Sequence, residues 1–211
     1  MKQILFLFLL QTAHVSAQSK NITLLDNWQD TSLMSNSSQV RYSGLCTFSK
    51  GNDEYAVIGT TEGAAFLQLM ENNELLFIDS IEGNYASSQA ITREYKRYQN
   101  YIYAIGDEGD ASLQIIDISY LPDSVTLANE VQDERVGKAH TIHIDSVNAL
   151  LYLCSVTPIV NGQALGLVPL RVFSLDNPLE PVLLWEGFED LAEVHDMELR
   201  DEIAILNCGF D

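Results

Sequence analysis

The sequence predicts an all-β fold: a β-propeller-like array of four-stranded blades that is open and incomplete in this chain. Three observations predict it. The first is a degenerate repeat, in which Asn100–Gly109 echoes Glu54–Gly63 and the same apolar beat returns at Ala149–Cys154 and Glu202–Leu206. Anchored on Gly59, Gly106, Ser155 and Asn207, the steps are 47, 49 and 52 residues, and a period of about fifty filled with short segments marks propeller blades. The second is strand chemistry. Short runs rich in β-branched and aromatic residues alternate with turn residues along the whole chain. The third is the lack of a sustained helical apolar stripe; Thr92–Asn100 comes nearest and is polar and short.

The elements follow in order. Lys2, the apolar run Ile4–Leu10 and the small-x-small sequence Val15-Ser-Ala17 read as a secretory signal peptide over residues 1–17. That run is too short to span a bilayer, which takes about 20 residues, so the protein is expected to be exported, with no membrane span after cleavage. The repeat domain then covers residues 18–211, with repeats at roughly 42–87, 88–137, 138–192 and a partial 193–211. Ser32–Arg41 is rich in Ser and Asn and reads as a loop. Strands are expected at Tyr55–Ile58, Ala65–Leu69, Leu75–Ile78, Tyr101–Ile105, Leu113–Ile118, Thr141–Ile144 and Leu170–Leu175. One blade can be written in full: Ala90–Tyr95, Tyr101–Gly106, Leu113–Ile118 and Val125–Glu130. Val156–Gly166, with Pro158, Asn161 and Gly162, reads as an insertion between two strands of the third repeat.

Composition excludes some partners. Thirty acidic residues face 11 basic ones, a formal net charge of −19. Such a chain repels phosphate backbones and anionic membrane surfaces, so nucleic acid is not expected as a partner. The acids are dispersed, which fits solubility outside the cell. Cys46, Cys154 and Cys208 are an odd number, so at least one lacks an intrachain partner. Cys154 and Cys208 lie at similar places in two repeats; they read as buried thiols, or as a disulfide if neighbouring blades bring them close.

One constellation carries possible chemistry. His140 and His195 open the first strands of two consecutive repeats at matched positions, with Gln89 near the matching site of the repeat before. Strand alternation puts His143 on the other face of its strand from His140. The first strand of a blade lines the central channel, so His140 and His195, with Asp196 and His143 nearby, are weak candidates for ligating a divalent metal or a small polar ligand. The simpler reading of the same histidines is that each caps a buried strand start by hydrogen bonding to a neighbouring blade's backbone. No catalytic set and no cofactor-binding motif is legible: there is no Gly-x-Ser-x-Gly elbow, no phosphate-cradling loop and no His-Glu-x-x-His. The acidic turn Asp107–Asp110 falls short of an EF-hand, so calcium is not expected there.

Leu113–Asp123 resembles the LVIVD repeat, and Ala139–Asp145, Val194–Leu199, Leu206–Asp211 and the opening Asn21–Trp28 are similar to segments of the secreted choice-of-anchor B family. The resemblance covers residue 21 to the end. It implies an exported β-propeller-like protein whose relatives differ in their C-terminal anchors, and it brings no catalytic residues. On that pattern the chain reads as a C-terminally truncated fragment, with any anchor beyond Asp211. The expected function is a non-enzymatic module binding protein or glycan at the cell surface or outside the cell. The alternative is a metal-dependent hydrolase with its site around His140 and His195.

Overall fold

The structure is a computed structural model and describes residues 22–188, 190–200 and 203–208. The expected signal peptide and residues 209–211 lie outside the described residues. The described chain is all-β, without helices, and is built from antiparallel sheets. The first sheet is a meander of β1 (Tyr42–Lys50), β2 (Asp53–Thr60), β3 (Gly63–Leu69) and β4 (Leu75–Glu82). The second is β5 (Arg93–Tyr98), β6 (Tyr101–Gly106), β7 (Leu113–Asp117) and β8 (Thr126–Val131). The third holds β9 (Gly137–Lys138), β10 (Thr141–Asp145), β11 (Leu150–Val160), β12 (Gln163–Ala164), β13 (Val168–Ser174) and β14 (Val182–Gly187); its main path is β10-β11-β13-β14. The last is the hairpin β15 (Asp196–Arg200) and β16 (Ile203–Asn207).

Local sequence explains the connections. Gly51 takes φ 65° in the β1–β2 turn, and Gln99 takes φ 53° between β5 and β6. In each of the three larger sheets the third and fourth strands pair across a register shift, at Phe66/Leu67, Ile115/Ile116 and Val172/Phe173. A bulge raises local twist, so each outer strand turns away from the central ones at the same place in the repeat.

Packing follows from period-2 alternation on strands covered on both faces. Ile102, Ala104 and Ile116 of the second sheet pack with Phe48, Tyr55, Val57 and Phe66 of the first. Their sequence neighbours Tyr103, Ile105 and Ile115 turn the other way and pack with Ile142, Leu151, Leu153 and Phe173 of the third. A smaller cluster of Cys154 and Leu170 with Val194 and Met197 joins the third sheet to the last hairpin. The outer strands β4, β8 and β14 are largely exposed. Successive sheets therefore stack face to face, and their first strands β1, β5, β10 and β15 are neighbours in space. The described residues form no closed ring.

Three expectations are corrected. The first strand of the second sheet is Arg93–Tyr98, not Ala90–Tyr95: Ala90 donates its N–H to Ser87 O in a turn that crosses from one sheet to the next. The third sheet has six strands rather than four. Val156–Gly166 is not a plain insertion, because β11 runs on to Val160 and folds back as β12. Its turn is Asn161-Gly162, both at positive φ (53° and 74°), the backbone a tight two-residue hairpin requires.

Candidate functional site

The histidines stand at equivalent points of two sheets, each immediately before the first strand. The N–H of His140 donates to Cys154 O at 3.0 Å, and that of His195 donates to Asn207 O at 2.8 Å, so both backbones are fixed by the second strand of their own sheet. The Oγ1 hydroxyl of Thr141 donates to His195 O at 3.1 Å and ties the two sheets together. Their side chains converge. His140 Nε2 and His195 Nε2 are 3.1 Å apart, with ring centroids 4.4 Å apart and planes at 61°. On the far side of His140, Nδ1 meets Asp107 Oδ2 at 2.8 Å. Asp107 directly follows β6, so three sheets contribute to one cluster. It is open to solvent: the His140 and Asp107 side chains are 27% and 34% exposed.

The other two candidates form a separate pair. His143 Nε2 lies 2.8 Å from Asp196 Oδ1, so Asp196 serves His143 rather than its neighbour His195. Burial raises the Asp196 carboxyl, but the hydrogen bonds from His143 and the Met197 amide, with the charges of His143 and Lys96, outweigh it and hold the group below its ordinary range. Glu94, on β5, accepts the Ile142 N–H at 3.2 Å and is thereby committed to joining the second and third sheets. By register, Thr92 rather than Gln89 is the counterpart of His140 and His195, because Arg93, Thr141 and Asp196 each open the pairing of a first strand with the next, opposite Gly106, Cys154 and Asn207.

All three cysteines are free. Cys154 is buried in the cluster against which Cys208 packs, and burial pushes its thiol up to about 11. It is a packing residue in its ionisation as well as in its position.

A second concave site lies under the segment that precedes β1. This segment is strapped to the first sheet: Asp30 N–H donates to Tyr42 Oη at 2.7 Å, and Thr61 Oγ1 donates to Met34 O at 2.8 Å. Between strap and sheet is a cavity of about 450 Å³ lined by Trp28, Met34, Ala65, Phe77 and Ile81 and by the carboxylates Asp30, Glu62 and Glu82, with no Lys, Arg or His in its wall. The Trp28 and Phe77 rings are near parallel, 7° apart with centroids 6.0 Å apart. The Ser32 hydroxyl and amide hold the Asp30 carboxyl below its usual range.

Sequence reasoning missed Asp107 and this cavity. Asp107 sits 33 residues before His140, and only its place after the preceding repeat's second strand marks it. Trp28 counted only as part of a family-like opening. No protein-family model and no curated protein matches the chain.

Proposed function

We propose that the protein is an exported, non-enzymatic binding module of propeller-like architecture, related to the choice-of-anchor B proteins, and that it binds neutral or amino-sugar glycan in the Trp28 cavity. Stacked meander sheets with adjacent first strands support the blade reading. The cavity carries the ligand reading. Aromatic rings offer apolar faces to the C–H faces of a sugar ring, while ionised carboxylates are acceptor-only groups suited to hydroxyl and ammonium donors. The volume is in the range of small-ligand sites. Three carboxylates without a basic partner in the wall repel uronic or sialic acids.

The test follows Trp28 fluorescence in a Trp185→Phe background, since these are the two tryptophans of the chain. Neutral and amino-sugar oligosaccharides are expected to give a saturable change that Trp28→Ala abolishes in a binding assay, with acidic oligosaccharides inert. Saturable binding of acidic sugars, or binding that survives Trp28→Ala, would overturn the reading.

A further inference from the structure

We infer that the Trp28 cavity takes a cationic nitrogen, so that among the sugars it admits it selects the amino sugar; this rests on the glycan reading and narrows it. The three larger sheets differ at one position. Immediately before the shifted residues Phe66, Ile115 and Val172, the third strand pairs with the fourth as Ala65↔Ser80 in the first sheet, Gln114↔Glu130 in the second and Arg171↔Glu186 in the third. In the second sheet Gln114 Nε2 donates to Glu130 Oε1 at 3.4 Å and, at 3.0 Å, to Glu82 O at the end of the first sheet's fourth strand. In the third sheet Arg171 Nε donates to Glu186 Oε2 at 2.9 Å. Its Nη1 donates to Glu134 O at 2.7 Å and to Arg135 O, in the segment that follows the second sheet's fourth strand. Each time a nitrogen donor reaches from its own sheet to the backbone of the sheet before it. In the first sheet both side chains of that pair are short, and Ala65 and Ser80 line the cavity under the strap. The cavity thus occupies the place where the other two sheets hold a nitrogen donor.

The charge of the wall selects a cation among donors. Asp30 comes from the strap, Glu62 from the β2–β3 turn and Glu82 from the end of β4. Ionised carboxylates accept and do not donate, and among the described residues none of the three forms a salt bridge. Asp30 accepts the Ser32 amide and hydroxyl through Oδ1, and Glu62 accepts the Met34 N–H through Oε1 at 3.3 Å. Each engages one oxygen there, and the second can serve a ligand. Arg93 and Arg41 reach the wall through the carbonyls of Thr60 and Leu33, not through a carboxylate. Three like charges around one cavity repel one another, and a cationic ligand relieves that where a neutral one does not. Trp28 and Phe77 add ring faces, which attract cations as well. An ammonium on a sugar ring uses both features. Its donors meet carboxylates, while the C–H face of the ring lies on the aromatic wall.

Calorimetric titration of the full chain, at low ionic strength and about pH 5.5, compares glucosamine oligomers, which are charged there, with the same oligomers N-acetylated and neutral. The charged oligomers are expected to bind about tenfold tighter, the worth of one charge-assisted hydrogen bond, and the advantage should shrink as salt is added. Glu62→Gln with Glu82→Gln should bring the two affinities together. Ala65→Gln with Ser80→Glu installs the second sheet's pair in the first and should remove binding of both sugars; far-UV circular dichroism and the melting midpoint check that this variant keeps its fold. The inference falls, and the glycan reading stands, if the N-acetylated oligomers bind as tightly and Trp28→Ala still abolishes binding. It falls too if the double glutamate variant keeps the full preference, or if the folded Ala65 and Ser80 double variant binds as the parent does. A preference that survives Trp28→Ala also overturns it, because that preference then belongs to the acidity of the whole chain. If neither oligomer binds, the glycan reading itself fails and this inference with it.

Discussion

Leu153→Ala tests the stacked-sheet core. Leu153 is fully buried on β11, in the cluster that joins the second and third sheets through Tyr103, Ile115, Ile142 and Phe173. The substitution removes three carbon atoms, a transfer loss of about 2–2.5 kcal/mol at about 0.8 kcal/mol per methylene. Its neighbours come from paired strands on both sides and have little freedom to collapse, so a cavity term adds to this. The total is about 3–4 kcal/mol, inside the usual Leu→Ala range of about 2–5. In a chain of this size that lowers the melting midpoint by about 6–16 °C. Ile205→Ala is the control: Ile205 is 56% exposed on β16, and its loss costs about 0.5 kcal/mol or less. Urea unfolding followed separately at Trp28 and Trp185, in single-tryptophan variants, reads the first and third sheets. Both transitions should shift together for Leu153→Ala. A cost below about 1 kcal/mol, or a shift seen at Trp185 alone, would show that the sheets do not share a core.

Tyr103→Phe removes the hydroxyl that donates to Pro178 O at 2.6 Å across the same interface and leaves that carbonyl unpaired; about 1–2 kcal/mol of stability is expected to go, measured by the same unfolding. The Cys154 thiol, pushed up from 9.0 to about 11 by burial, stays neutral to higher pH in the folded than in the unfolded chain. Iodoacetamide at pH 9, read by mass spectrometry, should therefore leave Cys154 unmodified in the native protein and label it in urea, and rapid native labelling would contradict its burial.

Strand existence was readable because the alternation is strong where both faces are buried: Tyr101–Gly106 and Leu113–Asp117 send successive residues to opposite neighbouring sheets. Boundaries were harder. Ala90-Ile91-Thr92 has strand composition, but it carries the chain between sheets, and Ala90 is buried by that crossing rather than by a ladder. The Asn161-Gly162 turn was present in the sequence as a hairpin signal, yet Pro158 beside it argued for a loop. Pro158 is accommodated because β11 has left its main sheet there: it lies opposite Gly137 of the short β9 on one side, and on the other its carbonyl accepts the Leu165 N–H, which asks nothing of the missing proline N–H. The convergence of His140 with His195 follows from matched repeat positions. Asp107, the partner of His140, comes from the second sheet, and only its place directly after that sheet's second strand marks it along the chain.

Ser155 joins fold and site, and its replacements separate two effects. It is buried, and its φ of 50° lies in the left-handed region that a non-glycine residue occupies at a cost of about 1–2 kcal/mol. The strain has a structural reason. Before Ser155, β11 pairs with β10; after it, β11 pairs with β9, and the pairing to β13 passes from Cys154↔Leu170 to Val156↔Val168. The bend also aims Oγ at Val194 O, 2.9 Å away, the carbonyl that precedes His195. Ser155→Ala keeps the strain and loses the bond, leaving a buried carbonyl unpaired at a cost of about 1–3 kcal/mol. Ser155→Gly loses the same bond but relieves the strain, so its net cost is expected to be about 1 kcal/mol smaller than that of alanine. Both variants should raise amide exchange at Val194 and His195, because one of the two hydroxyl ties between the sheets is gone in each and only that of Thr141 remains. If glycine is as destabilising as alanine, the backbone at Ser155 is not strained. If exchange at Val194 and His195 is unchanged, the hydroxyl does not hold the last hairpin in place.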